Sequence, residues 1–319
     1  MKKQTRIEKY LGKLTSLKGK TYIVTGANSG LGYSATKHLL SLGAHVVMAC
    51  RNLNKASLAK DSLIKLYPNG KLSLFAYDQA DFESIETFAL AIKENVAVLD
   101  GIVLNAGLYH PKKGLKTKQG LPLTMGTNYM GVYYLLKALE RHAIFKKNPH
   151  MRIIFVGSLS WHHVKVKKIK EQLSIEKGNL TDQYARSKTA IGKLAYFLSR
   201  HIENDYLFLN SSIKVLIMHP GVTGTNIVGA ANSSMPKWIA RIAPTFLNIF
   251  THTPDVAALG IIKLLATTEV DENKLVAPRG LFQISGYPRL KHYPYNLRKD
   301  GPTLLKTSEE VIATIEHKK

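Results

Sequence analysis

A single cysteine, Cys50, in 319 residues excludes an intrachain disulfide and any cysteine-rich metal site. No window of about 18 apolar residues runs free of charge, so no membrane-spanning helix is expected. The basic start, Met1 to Tyr10, has no apolar stretch behind it, and a cleaved signal peptide is not expected. Acidic residues are scarce: 22 Asp and Glu against 45 Lys and Arg leave a formal charge of +23. Zinc-finger spacing and aromatic–basic RNA-binding motifs are both missing. The basic residues are spread along the chain, densest at Lys165, Lys167, Lys168 and Lys170. Such a spread suits a field that collects an anionic small molecule better than a nucleic-acid groove. No nucleic-acid partner is therefore expected, and the simplest location is the cytoplasm.

A hydrophobic fraction of 45% provides for an ordinary globular core. Residues 1–19 form a basic lead-in with Ile7, Leu11, Leu14 and Leu17 at amphipathic spacing. Packing on the domain is the plain reading, and peripheral membrane contact is the sharper alternative. From residue 20 onward, short apolar β-branched runs alternate with helical patterns. The runs are Thr21–Thr25, His45–Cys50, Lys71–Ala76, Gly101–Leu104, Arg152–Val156 and Lys214–Met218. A helix over Asp255–Ala266 and a strand-like stretch over Gly280–Pro288 would complete the sheet. This alternation predicts one α/β domain over 20–319, a doubly wound parallel sheet with helices on both faces. Ligands of such sheets sit beyond the C-terminal strand ends, so the residues just after each strand carry most weight.

After the first run comes Thr25-Gly26-Ala-Asn28-Ser29-Gly30-Leu31-Gly32, with a helical pattern from Tyr33 onward. Glycines let the backbone turn sharply and approach a ligand. A helix start directs unpaired N–H groups and positive dipole at the turn, where a pyrophosphate is the natural occupant. The spacing is not G-x-G-x-x-G, since Asn28 interrupts it. This turn resembles the cofactor loop of the short-chain dehydrogenase/reductase family, a Rossmann fold. A plain structural turn would use glycine too, and the rest of the chain decides.

About 20 residues past the turn, where NAD-binding sheets carry an acid for the ribose 2′-hydroxyl, stands Arg51, with Lys55 one helical turn on. Cations there suit a 2′-phosphate, so NADP(H) is preferred and NAD(H) is the second choice. The resemblance extends through later strand ends. Asp78, followed by Gln79, matches the acid that meets the adenine amino group. Asn105, Ala106 and Gly107 match the N-A-G element beside the adenosine ribose. Asn128 matches the helix asparagine whose backbone carbonyl holds a water of the proton relay. Ser158 takes the place of the catalytic serine, after Gly157 where the family usually has a first serine, and Ser160 is its rival. Tyr184 and Lys188 match Y-x-x-x-K and share one helix face. Pro220 and Gly221 break the chain beside the nicotinamide, and Thr223 or Thr225 would cap its carboxamide and phosphate.

The resemblance thus implies hydride transfer between NADP(H) and a carbonyl/alcohol pair, with Tyr184 as general acid/base. A neighbouring Lys188 would lower the phenol pKa. Between Ser158 and Tyr184 lies an insert, Trp161 to Asp182, longer than in many members. That insert, with Ala49-Cys50-Arg51-Asn52 and Lys55-Ala56, points to the retinol dehydrogenase and protochlorophyllide reductase branch. His162 and His163 are adjacent and lack a third ligand, so no metal is expected. The segment 226–253 takes the place of a substrate lid with apolar lining. The substrate is a small molecule with some apolar character. Self-association stays open. The rival readings are an NADPH-binding regulator or a peripheral membrane protein without turnover, and among enzymes an epimerase.

Overall fold

A computed structural model describes residues 5–109, 111–163, 173, 179–200, 212–222 and 252–317. Six parallel strands lie where the apolar runs place them: β1 Thr21–Thr25, β2 His45–Cys50, β3 Lys71–Ala76, β4 Gly101–Leu104, β5 Arg152–Val156 and β6 Lys214–Met218. Two more, β7 Lys274–Pro278 and β8 Pro288–His292, complete an eight-stranded sheet of order 3-2-1-4-5-6-7-8. Only β8 is antiparallel. The strand-like stretch expected over Gly280–Pro288 is instead the turn between β7 and β8. Gly286 (φ 105°), together with Phe282 and Gln283 at φ 50° and 60°, cannot extend a strand. Pro288 has no N–H to give the ladder and opens an edge strand, where that loss is tolerated.

The helices are α1 Arg6–Leu11, α2 Gly30–Ser41, α3 Leu53–Leu66, α4 Phe82–Asn95, α5 Leu123–Met125, α6 Gly131–Arg141, α7 Leu180–Arg200, α8 Pro254–Ala266 and α9 Gly301–Glu316. A π-helical segment, Gly126–Met130, joins α5 to α6. Alternate residues of the central strands feed two cores, one on each face. Ile23, Ile102, Ile153 and Ile217 pack with α4, α6, α7 and α9. Val24, Val103, Ile154 and Leu216 pack with α1, α2, α3 and α8. The basic lead-in follows its plain reading: Leu11 and Leu17 are buried in the second core, with Ile7 and Leu14 against it. Among the described residues no helix is long and apolar enough to cross a membrane.

Strand order reverses between β1 and β4, and the crevice above that point is where doubly wound sheets take ligands. Thr25, at the end of β1, knits the two sides. Its hydroxyl donates to Val103 O (3.2 Å) and accepts from the amides of Asn105 and Ala106, both at 2.9 Å.

Candidate active site

Helix α2 begins on the glycines themselves, at Gly30, one turn earlier than the apolar pattern suggests. Gly26 and Gly30 hold φ of 67° and 55°, a region a side chain disfavours. A Cβ on Gly32 would stand 2.3 Å from the carbonyl oxygen of Gly26, so this crossing requires glycine. Ser29 sits at the N-cap without a side-chain capping bond. The first amides of α2 are thus left to whatever occupies the turn. Asn105 braces the floor by donating to Thr25 O at 2.8 Å. The backbone and charge here fit a dinucleotide: a turn lined with amides, the part-buried Asn28 and Leu31 in it, and exposed Arg51 and Lys55 after β2. Asn52 caps α3 by accepting from the Lys55 amide (2.9 Å), which leaves the Lys55 side chain in solvent.

Two residues just after β3 have local partners. Asp78 accepts from the Ala80 amide at 3.0 Å and lies half-buried beside the crevice. Gln79 is buried, and both its amide protons are used, on Ala106 O (3.0 Å) and Thr127 O (2.7 Å). Its oxygen accepts from Tyr77. Gln79 therefore ties β3 to the N-A-G element and to the π segment.

Asn128, the polar residue in an apolar helical pattern, falls inside that π segment, a form of helix often found at functional sites. Its side chain accepts from the Leu108 amide (2.7 Å) and donates to Leu108 O (2.9 Å) and to Ser187 Oγ (3.0 Å). Ser187 in turn donates to the carbonyl of Tyr184 at 2.8 Å. The amide is satisfied, and it fixes the loop after β4 against α7.

The structure brings Ser158, Ser160, Tyr184 and Lys188 together at the ends of β5 and α7. Ser160 donates from its hydroxyl (3.0 Å) and its amide (3.3 Å) to Ser158 Oγ. Ser158 in turn hydrogen-bonds the Tyr184 phenol. Ser158 therefore stands next to the phenol and Ser160 behind it. The expectation that Lys188 lowers the Tyr184 pKa is corrected. Burial pushes the phenol up to about 12, the Ser158 bond offsets part of that, and Tyr109 adds to it. Lys188 Nζ stands 6.0 Å from the centre of the Tyr184 ring and donates to Val156 O at 3.1 Å. Burial brings its own pKa down to about 8. Enclosure favours the neutral amine, and Nζ is directed at Val156 O rather than at the phenol.

Several neighbours had no sequence signal. Tyr109 meets Tyr184 edge to face, with ring centres 4.7 Å apart and planes at 88°. Trp161 is buried, and its ring stands edge-on to His219 at 5.5 Å. His219 Nδ1 accepts from the Gly221 amide (3.2 Å), which places the ring proton on Nε2, facing Gln283 Oε1 at 2.8 Å. His252 repeats the arrangement: Nδ1 accepts from the Gly286 amide and Nε2 donates to Pro220 O. Gly221 has φ 74°, and a Cβ there would meet Ile284 O at 2.2 Å. Two neutral imidazoles thus hold the Pro220-Gly221 turn to the β7–β8 turn. Thr223 and Thr225, lid residues 226–251, and insert residues 164–172 and 174–178 lie outside the described residues.

The short chain dehydrogenase family model matches residues 20–236. Retinol dehydrogenase 14 of Mus musculus is 30% identical over 220 residues, covering 66% of this chain and 63% of that protein. The chloroplastic protochlorophyllide reductase of Chlamydomonas reinhardtii is 38% identical over 143 residues, covering 44% of this chain and 36% of that protein. The chain thus matches less than two thirds of the length of either relative. A solved structure of an uncharacterized Mycobacterium Paratuberculosis protein superposes with a TM-score of 0.68 at 22% identity, over 94% of this chain and 96% of that one. With the glycine turn, the serine–tyrosine–lysine cluster and this match in hand, the chain belongs to the short-chain dehydrogenase/reductase family, in the branch of the retinol dehydrogenases and protochlorophyllide reductases.

Proposed function

We propose that the protein is an NADP(H)-dependent oxidoreductase acting in the cytoplasm on a small carbonyl/alcohol pair of partly apolar character. The observation that carries the reading is the hydroxyl chain Ser160–Ser158–Tyr184, beside the buried amine of Lys188. Gly26, Asn28, Ser29, Gly30, Leu31 and Gly32 would hold the pyrophosphate. Arg51 and Lys55 would meet the 2′-phosphate, whereas neither can accept a hydrogen bond from a bare 2′-hydroxyl. Asp78 would meet the adenine, Asn105–Gly107 and Lys188 the two riboses, and Pro220 and Gly221 would wall the nicotinamide. When bound, that ring supplies the hydride in reduction and takes it in oxidation.

In the reducing direction Ser158 donates a hydrogen bond to the substrate oxygen, where negative charge develops. Tyr184 gives that oxygen its phenolic proton, which turns the carbonyl into the alcohol. A phenol held at about 12 stays protonated across the working pH range, as an acid must. Reduction leaves Tyr184 as the phenolate, the same form from which oxidation starts, so the phenol must regain a proton before the next reduction. Replacement Tyr184→Phe tests the assignment. Turnover of NADPH with carbonyl compounds should fall by about 10²–10⁴-fold, while NADPH still quenches protein fluorescence at similar concentrations. Unchanged turnover removes Tyr184 as the acid. Cofactor binding without turnover of any carbonyl by the native chain would favour the regulator instead.

A further inference from the structure

The turn between β7 and β8 holds two apolar side chains out in water: Leu281 and Phe282 are 79% and 76% exposed. The turn is also strained, with φ 50° at Phe282 and 60° at Gln283, the left-handed region that side chains disfavour. Its inner side explains Gln283, which faces His219, and Ile284, whose carbonyl accepts from the Val222 amide at 2.8 Å. Among the described residues nothing explains why two large apolar groups occupy the outer side.

The charge around them is of one sign. From Lys274 to Lys299 the chain has six Lys and Arg and no Asp or Glu. Arg279 and Arg289, on either side of the turn, are exposed. The Arg279 guanidinium lies 6.0 Å over the Tyr287 ring, and Tyr10 of α1 tilts against the same ring at 5.5 Å. That contact brings exposed Arg6 and Lys9 of α1 to the same corner, while the acid of α1, Glu8, is engaged in a capping box with Thr5.

We propose that this corner is a docking surface for an anionic lipid bilayer. Leu281 and Phe282 enter the headgroup boundary, and Arg279, Arg289 and the α1 cations face the lipid phosphates. A second copy is the poorer occupant, because self-docking would set these cations against each other. Edge-to-edge pairing of β8 is likewise opposed by Pro288, Arg289 and Lys291. The inner side of the same turn supports His219, Gly221 and Val222, so docking turns the catalytic edge of the sheet toward the bilayer. The inference does not depend on the proposed reaction.

Vesicle flotation of the full chain tests it, with phosphatidylcholine alone and with phosphatidylcholine mixed with phosphatidylglycerol. The chain should float with the mixed vesicles and not with the neutral ones, and less as salt rises. The double replacement Leu281→Ser/Phe282→Ser should reduce flotation by about tenfold or more, since it removes both apolar side chains that would enter the headgroup boundary. Arg279→Ser/Arg289→Ser should also reduce it and flatten the salt dependence. Melting scans establish that both variants are folded. Equal flotation with both vesicle types, or flotation unaffected by the serine pair, overturns the proposal. A dimer in size exclusion that the serine pair dissociates would assign the corner to a second copy and overturn it as well.

Discussion

The indole of Trp161 occupies the space that a side chain at position 157 would fill: a Cβ on Gly157 would stand 2.0 Å from Cζ3 of Trp161. This is why glycine replaces the first serine that the family usually carries there. Gly157→Ser should therefore destabilise the protein by about 1–3 kcal/mol through overpacking. Because the neighbouring residue is Ser158, kcat should fall too. Trp161→Phe in the same chain should restore part of the melting temperature. If Gly157→Ser melts like the native protein, the ring does not fix this position.

In the proposed reaction Ser160 would act through Ser158, since its hydroxyl donates to Ser158 Oγ. Ser160→Ala removes one donor and leaves the Ser158 hydroxyl free to rotate. We expect kcat for carbonyl reduction to fall by about tenfold, the scale of one neutral hydrogen bond of about 1 kcal/mol or slightly more. KM should change little. Ser160→Thr, which keeps the hydroxyl, should recover most of the rate. A KM effect without a kcat effect would make Ser160 a substrate contact instead.

Lys188 sets stability and activity against each other. In the unfolded chain its amine titrates near 10.5, and burial brings it to about 8 in the fold. Between those values the unfolded state holds more protons, so stability rises with pH across that window. Below about pH 8 the enclosed ammonium costs about 3 kcal/mol. Its bond to Val156 O returns about 1 kcal/mol. Lys188→Met should therefore melt a few degrees higher than the native protein near neutral pH. The gain should vanish as the pH approaches the unfolded pKa, and turnover should be lost throughout. A lower melting temperature for this variant below pH 8 would contradict the burial cost.

Arg51 is exposed at the end of β2, and among the described residues no ion pair holds its side chain. Arg51→Asp should leave the melting temperature nearly unchanged. Kd for NADPH should rise by about 10–100-fold, the scale of a lost charge-assisted hydrogen bond of about 1.5–3 kcal/mol, and NADH should be gained on relatively. Equal weakening of both cofactors, measured by fluorescence titration, would rule out a 2′-phosphate role.

The central strands of the parallel sheet were legible because each is buried on both faces and reads as a short apolar run, while β3, at the edge, is only partly buried and alternates instead. The glycine turn was legible because two of its three glycines adopt positive φ and the third lies against a carbonyl. Gly280–Pro288 misled because its apolar residues, Leu281, Phe282 and Ile284, look like strand content while the glycines at both ends impose a turn. The serine, tyrosine and lysine were found by their order along the chain. Their electrostatics were not, because the pKa of Tyr184 depends on enclosure and on Tyr109, residues away in sequence. His219 and His252 were missed for a related reason. A histidine that braces two loops shows no periodicity, only a partner on the far side of the fold.

The amide of His252 donates to the carbonyl of Val222 at 3.3 Å, and its ring clasps Pro220 from the same side. The chain therefore leaves the scaffold at Val222 and rejoins it beside the point of departure. The two ends of the interval between 222 and 252 are thus pinned to each other by one histidine. Grafting a relative's sequence between those two positions should exchange what the enzyme accepts while the sheet, the glycine turn and the proton chain carry on unaltered.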